Sequence, residues 1–147
     1  MAAIRTAEVT WEGDLVSGRG TVERVGSGVF GGLPVSWASR METPEGRTSP
    51  EELLAAAHAS CFAMAMSGGL ARAGTPPARL VVSAAVTFDK RDDGWRVTSS
   101  ALSVRGTVPG ATAESFAAEA EATKTGCPIS KALAGNVELS VEATLEA

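Results

Sequence analysis

The sequence has few cysteines and histidines, the residues that bind structural zinc and, in the case of cysteine, form the disulfides of small secreted domains. It contains two cysteines, Cys61 and Cys127, no CxxC pair, and a single histidine, His58. A structural zinc site needs four such ligands, so we expect neither a metal nor a cofactor in one chain. A chain of 147 residues also buries enough surface to fold without disulfides. Before local context is considered, the thiols remain open to interpretation as inert core residues or as a redox pair.

Clusters of one charge and long apolar runs are also absent. The net charge is −4 with no cluster of Lys or Arg, which argues against a nucleic-acid partner. No run of 18 uninterrupted apolar residues occurs, which argues against a membrane span. The segment Met1 to Val9 carries Arg5 and Glu8 and has no apolar signal core, so we expect a cytoplasmic protein. Without repeats or polar linkers, residues 1–147 are predicted to form a single domain.

The pattern of apolar residues predicts several strands and two short helical segments. Alternation and turn residues indicate strands at Ala7–Trp11, Thr21–Val25, Pro34–Arg40, Leu80–Lys90, Trp95–Val108 and Val137–Leu145. Residues 111–124 and 128–133 are predicted helices. The segment Gly26 to Gly31 formally matches GxGxxG, but the following Gly32-Leu33-Pro34 does not open a helix, so we interpret it as a glycine-rich turn.

A long apolar helix is the clearest predicted element. Ser49 is its expected N-cap, Pro50 takes the first helical position and Glu52 completes a capping box. Leu53 to Leu70 is almost wholly apolar or small, which is typical of a helix buried on every side. One small domain covers only part of such a helix, so we expect a second copy to cover the rest. The predicted class is α+β, with mostly antiparallel sheets around this helix.

Both cysteines lie in distinctive segments. Cys61 lies in Glu51-Glu52-Leu53-Leu54-Ala55-Ala56-Ala57-His58-Ala59-Ser60-Cys61-Phe62-Ala63-Met64-Ala65-Met66-Ser67, and Cys127 in Thr125-Gly126-Cys127-Pro128-Ile129-Ser130-Lys131-Ala132-Leu133. Together with Ser39-Arg40-Met41, these segments resemble the OsmC/Ohr family of peroxide-defence proteins, and its OsmC branch more closely. The resemblance implies an OsmC-like fold and an intertwined homodimer.

The same resemblance implies a role for four residues. Cys61 matches the peroxidatic cysteine, Cys127 the resolving cysteine, Arg40 the arginine that holds the thiolate, and Glu51 the acid that orients this arginine. It further implies an organic hydroperoxide as substrate, a Cys61–Cys127 disulfide as product, and recycling by an external reductant that is a small dithiol or of the lipoyl type. Arg47 competes with Arg40 for the arginine role.

Elementary electrostatics supports part of this assignment and conflicts with another part. Cys61 lies in mid-helix among apolar residues, which raise the pKa of a thiol, so a fixed cation is needed to hold its thiolate. Cys127 lies at the N-terminus of a predicted helix, near Lys124 and Lys131, where a thiolate is favoured. Electrostatics alone therefore makes Cys127 the more acidic thiol, whereas the resemblance assigns the first attack to Cys61.

The helix also places Glu51 and Cys61 far apart. Ten residues span ~15 Å of helix, so either the helix breaks or Glu51 reaches Cys61 from another chain. Apolar side chains expected to line the substrate pocket are Phe30, Leu54, Phe62, Met64 and Met66. His58 is one turn from Cys61 and is open to two interpretations, a catalytic base or a histidine satisfied within the packed structure.

Two other functions remain open from the sequence. A protein of the same fold could bind a small hydrophobic ligand in the apolar pocket without catalysis. Alternatively, its disulfide could switch a partner interface, as in a redox sensor, without sustained turnover. The peroxidase interpretation requires that the two sulfur atoms, 66 residues apart in sequence, come within bonding reach.

Overall fold

A computed structural model describes all 147 residues, and their contacts divide the chain into two units, Met1–Leu53 and Leu54–Ala147. The first unit contains the antiparallel sheet β1-β2-β3, formed by Ala7–Glu12, Arg19–Val25 and Gly31–Val35. A short helix, α1 (Trp37–Met41), follows β3. Gly28 between β2 and β3 has φ +73°, a conformation that favours glycine, so the GxGxxG-like segment begins as a turn and continues into β3.

The third predicted strand, Pro34–Arg40, is wrong beyond Val35. The strand ends at Val35, and Ser36 caps α1: its hydroxyl accepts from the Ser39 N–H at 3.0 Å, and the Ser39 hydroxyl accepts from the Ser36 N–H at 3.1 Å. This reciprocal capping outweighs the strand propensity of Trp37. The consequence for the site is that Arg40 is held on a helix.

The long helix α2 spans Pro50–Arg72 without interruption. The Ser49 hydroxyl accepts from the Glu52 N–H at 3.1 Å, as predicted for the N-cap, while the Glu52 carboxylate accepts from the Thr48 hydroxyl at 3.0 Å. Gly68 and Gly69 do not interrupt the helix, which continues three residues beyond Gly69 and ends at Arg72.

One stripe of α2 is buried and another is exposed. His58, Phe62, Met66, Gly69 and Leu70 recur at helical spacing and are buried. On the other side lie Ala56, Ala57, Ser60 and Met64, all exposed, Met64 by 71%. The prediction of a helix buried on every side is therefore wrong for one chain.

By length and mean hydropathy α2 could cross a membrane, a test that the core helix of a soluble protein also passes.

The second unit holds a three-stranded sheet, β4-β5-β6, formed by Arg79–Arg91, Gly94–Thr107 and Glu138–Glu146. The β4–β5 pair is the predicted antiparallel hairpin, and Gly94 adopts φ +113° at its turn. Two helices, α3 (Ala113–Gly126) and α4 (Pro128–Leu133), connect β5 to β6, which pair in parallel. Alternate residues of β5 face the core, where Leu102 and Val104 join α2 side chains, Phe116 of α3 and Cys127.

We predict that Gly106→Ala destabilises this unit. A Cβ at this buried β5 position would lie 2.7 Å from the Phe116 ring and 2.9 Å from Leu80 Cδ2, so the core must shift at a cost of roughly 1–3 kcal/mol. Urea unfolding measures the change as a lower midpoint with an unchanged slope. Ser83→Ala, at an exposed position of β4, is the matched control and should leave the midpoint almost unchanged. Equal midpoints for Gly106→Ala and wild type would contradict this packing.

Candidate active site

The two cysteines lie next to each other in the second unit. Their sulfur atoms are 3.2 Å apart, and both thiols are free. Cys61 comes from the middle of α2 and is partly exposed, whereas Cys127 has 0% of its surface exposed. A disulfide needs a sulfur–sulfur distance of about 2.05 Å, so a movement of about 1 Å would close one here. The two cysteines are 66 positions apart in sequence. They are brought together by the helix–sheet core rather than by any local motif.

Cys127 occupies the junction of two helices. Its N–H donates to the Thr123 carbonyl at 2.9 Å and ends α3, and its carbonyl accepts from Lys131 N–H at 3.0 Å in α4. Its backbone is extended, with φ −63° and ψ 135°. Its sulfur accepts from the Ser130 N–H at 3.5 Å. The prediction that Cys127 stands at the start of a short helix is therefore confirmed.

The surroundings shift the two thiol pKa values in opposite directions. Burial raises the pKa of Cys61, and the adjacent Cys127 raises it further, while the Ile129 N–H acts in the other sense. Burial by itself also raises the pKa of Cys127, but hydrogen bonds with the Ser130 backbone and side chain, Cys61 and the Ile129 N–H outweigh it and leave this pKa below its ordinary value. Within one chain, Cys127 is the more acidic thiol.

His58 lies at the centre of a fully buried polar cluster. Its Nδ1 is 2.7 Å from the Ser100 hydroxyl of β5, and its Nε2 is 2.8 Å from the Ser130 hydroxyl of α4. All three side chains have 0% exposure. Burial lowers the pKa of His58, which keeps the ring neutral. Of the two interpretations of His58, the structure supports a histidine whose two ring nitrogens are hydrogen-bonded within the packed core. Its partners, Ser100 and Ser130, carried no sequence signal.

Arg40 and Glu51 form an ion pair within the first unit. Arg40 Nη2 lies 2.8 Å from Glu51 Oε1, and Nε lies 3.0 Å and 3.2 Å from the two carboxylate oxygens. The guanidinium is also 5.9 Å from the centre of the Trp37 ring. The side chains are 28% and 10% exposed, so the pair is largely withdrawn from water. Arg47, the alternative arginine, is exposed, and the contact with Glu51 is made by Arg40.

The side chains expected to line an apolar pocket have different environments. Phe62 and Met66 are fully buried in the core, and Leu54 is half-buried. Phe30 and Met64 are exposed by 41% and 71%. Met64 lines an open cavity of about 410 Å³ together with Ala63, Ser67 and the segment Pro77 to Leu80. A second cavity, of about 200 Å³, adjoins Cys127.

This combination of two helix-borne thiols in contact within an α+β core is typical of a protein that cycles between dithiol and disulfide. The OsmC-like protein family matches residues 43–142, and the chain belongs to that family. It is 39% identical over 142 residues to Peroxiredoxin OsmC of Escherichia coli strain K12, covering 97% of this chain and 98% of that protein.

Solved structures share the fold along nearly the whole chain. The organic hydroperoxide resistance protein OhrB of Bacillus subtilis is 25% identical with a TM-score of 0.72, covering 95% of this chain and 98% of its own. An organic hydroperoxide resistance protein from Elizabethkingia anophelis is 23% identical with a TM-score of 0.76, covering 99% and 100%. The predicted α+β, OsmC-like fold is confirmed.

We predict that Glu51→Gln lowers the stability of the protein by about 1–3 kcal/mol, because it leaves the largely buried guanidinium of Arg40 without its carboxylate. Denaturant unfolding measures the loss. Glu52→Gln is the matched control, since it removes an exposed carboxylate from the same first turn of α2 and so corrects for the helix dipole. Equal losses in both variants would mean that the Arg40–Glu51 contact contributes nothing measurable.

Proposed function

We propose that this protein reduces organic hydroperoxides to alcohols, with Cys61 as the attacking thiolate and Cys127 as the resolving one. The chain is a cysteine-based peroxidase by its family and by its 39% identity to a peroxiredoxin over nearly its full length. The observation that carries the residue assignment is the 3.2 Å distance between the two sulfur atoms in the reduced protein. The organic hydroperoxide resistance proteins that share the fold support the substrate class.

The chemistry requires two covalent steps. The Cys61 thiolate attacks the terminal peroxide oxygen, the O–O bond breaks, and the alcohol leaves after taking up a proton. Cys61 is then a sulfenic acid, which the neighbouring Cys127 thiolate converts to a disulfide with release of water. Because the pKa of Cys127 is lowered in the fold, a thiolate is available for this second step.

Cys61 needs a cation that its own surroundings in one chain do not supply. Burial and the adjacent Cys127 raise its pKa, and a guanidinium lowers a thiol pKa without titrating itself. We assign this role to Arg40, which is oriented by Glu51 through two hydrogen bonds from Nε and an ion pair from Nη2. The same guanidinium can hydrogen-bond the peroxide oxygens as negative charge develops on the leaving alkoxide.

The unbroken helix supports the proposal that this arginine comes from a second chain. Glu51 and Cys61 lie on the same continuous α2, so ten residues separate them by ~15 Å along its axis. A break in the helix, the alternative open from the sequence, does not occur. A homodimer in which each pocket combines Cys61 and Cys127 of one chain with Arg40 and Glu51 of the other would satisfy both constraints.

The exposed stripe of α2 supports this dimer. Ala56, Ala57, Ser60 and Met64 are small or apolar, and they border Cys61 on the helix surface. Small residues let two helices approach closely, and burial of such a stripe is favourable at roughly 25 cal/mol per Å². Apolar walls at this interface would favour alkyl hydroperoxides over hydrogen peroxide.

We further propose an external dithiol as the reductant, and the cytoplasm as the compartment of this soluble protein, because a disulfide product must be re-reduced.

We predict that Cys61→Ser abolishes the consumption of cumene hydroperoxide, because no thiolate remains to attack the peroxide. Cys127→Ser should permit a single turnover, after which Cys61 remains a sulfenic acid and becomes overoxidised. Sustained peroxide consumption under excess dithiothreitol measures the first effect. A single-turnover assay without reductant, together with mass spectrometry of the Cys61 peptide, measures the second. Wild-type turnover by the Cys61→Ser protein would refute the assignment.

Thiol titration tests the other functions in the same experiment. One equivalent of cumene hydroperoxide should remove both thiols of the wild-type protein. A ligand-binding protein would keep its thiols, and a redox sensor would lose them without sustained turnover in any reductant.

We predict that two inactive variants restore each other's activity when their chains are mixed. In a heterodimer of Arg40→Ala and Cys61→Ser chains, one pocket receives an intact Cys61 from the first chain and an intact Arg40 from the second. Random mixing of equal amounts should therefore restore about a quarter of the wild-type activity, since about half of the dimers carry one intact pocket of two. Co-expression with two affinity tags provides the heterodimer. Absence of complementation in the purified heterodimer would place Arg40 and Cys61 of the same chain in one pocket.

A further inference from the structure

The buried cluster around His58 contacts the reacting thiols only through Ser130, whose hydrogen bonds lower the pKa of Cys127. His58 is hydrogen-bonded to Ser100 at Nδ1 and to Ser130 at Nε2, and no part of the three side chains reaches solvent. A neutral imidazole carries one N–H, so one ring nitrogen donates and the other accepts. When Nε2 carries the proton, it donates to the Ser130 oxygen, and Ser100 donates to Nδ1.

This tautomer determines the direction of the Ser130 hydroxyl. An oxygen that accepts from Nε2 keeps its own hydrogen for another acceptor. The acceptor beside Ser130 is the sulfur of Cys127, which already accepts from the Ser130 N–H at 3.5 Å. The Ser130 side chain is also among the groups that lower the pKa of Cys127. In the opposite tautomer, Ser130 would donate to His58 instead. A negative sulfur at position 127 therefore favours the first tautomer, in which backbone and side chain of one serine both donate to it.

Exposure distinguishes the two sulfur atoms in the disulfide that the cycle produces. Cys127 is fully buried, whereas Cys61 is partly exposed. An external thiolate can attack either sulfur of a disulfide, but it must reach that sulfur, and the reaction is faster when the other sulfur leaves as a stabilised thiolate. Accessibility and leaving-group stability thus both favour attack on the Cys61 sulfur, with Cys127 as the leaving thiolate.

We propose that His58 and Ser130 are positioning residues that hold Cys127 as the leaving thiolate during recycling, so that the external dithiol attacks Cys61. The step balances: one thiolate of the dithiol forms a bond with the Cys61 sulfur, the Cys61–Cys127 bond breaks, and its electron pair leaves on Cys127. The second thiolate of the dithiol then attacks the dithiol sulfur that is bonded to Cys61. The bond between that sulfur and Cys61 breaks, which yields a cyclic disulfide and the Cys61 thiolate. The inference rests on the proposed function, because recycling is a step of that catalytic cycle.

Other charged groups also face Cys127 and must stay constant in a test. The cavity beside Cys127 is lined by Arg72 of α2 and Glu119 of α3. Lys124 is paired with Glu121 at 2.8 Å, and Lys131 is exposed. Substitution at Ser130 or His58 leaves these groups, and the Ile129 N–H, in place.

We predict that loss of the Ser130 hydroxyl raises the pKa of Cys127. In a Cys61→Ser background, where Cys127 is the only thiol, Ser130→Ala should raise this pKa by about one unit. Ser130→Thr retains a hydroxyl and should restore the titration profile of the background protein. His58→Leu should raise the pKa, and His58→Gln, whose amide can donate to Ser130, should raise it less. The ultraviolet absorbance of the Cys127 thiolate, followed against pH, measures all four without a reagent that has to enter the core, and an unchanged profile in Ser130→Ala would overturn the proposal.

A second measurement locates the attack. Wild-type protein is oxidised with diamide, mixed briefly with glutathione, quenched with acid and alkylated, and its peptides are analysed by mass spectrometry. The adduct should lie on Cys61, with Cys127 recovered as the alkylated thiol; an adduct mainly on Cys127 would refute the inference. Neither measurement uses a peroxide, so a failure here is separate from a failure of the peroxidase assignment, which appears as the absence of cumene hydroperoxide turnover.

Discussion

The close approach of two sulfur atoms inside the core is the constraint on which the rest of the site depends. Cys61 and Cys127 lie 3.2 Å apart because the buried stripe of α2 packs in the same core as β5 and α3. Cys127 is held at the junction of α3 and α4, where its backbone ends one helix and begins the next. The thiol pair is therefore built into the hydrophobic core, and the packing that stabilises this unit also sets the geometry for disulfide formation.

The two thiols have different environments, and the difference fits the two roles proposed for them, attack on the peroxide and disulfide formation. Cys127 gains hydrogen bonds with Ser130 and Ile129 that outweigh the cost of its burial, whereas burial and the adjacent sulfur disfavour the Cys61 thiolate. A resolving thiol that is already ionised can respond as soon as a sulfenic acid forms. A peroxidatic thiol that depends on a separate cation becomes fully active only where that cation is supplied. This dependence connects catalysis to the assembly proposed for the chain.

The length of α2 is the physical reason for proposing a second copy at the site. A straight helix fixes the distance between its first turn, which carries Glu51, and its middle, which carries Cys61. Its exposed stripe of small and apolar residues is unusual for a helix at the centre of a soluble fold. One proposed arrangement, an antiparallel pair of these helices, would bury the stripe and bring Glu51 and Arg40 to the partner's Cys61.

Elements with strong local signals could be predicted from the amino-acid sequence. The Ser49–Pro50 start of α2, the β4–β5 hairpin with its Gly94 turn, and the helix start at Cys127 each follow from residues that are neighbours in the chain. Three features depend on long-range packing: which stripe of α2 is buried, the helix at Trp37–Met41, and the contacts of His58 with Ser100 and Ser130. The sulfur–sulfur contact likewise depends on packing. The residues in these contacts are 42 to 72 positions apart in sequence, so they come together only when the hydrophobic core forms.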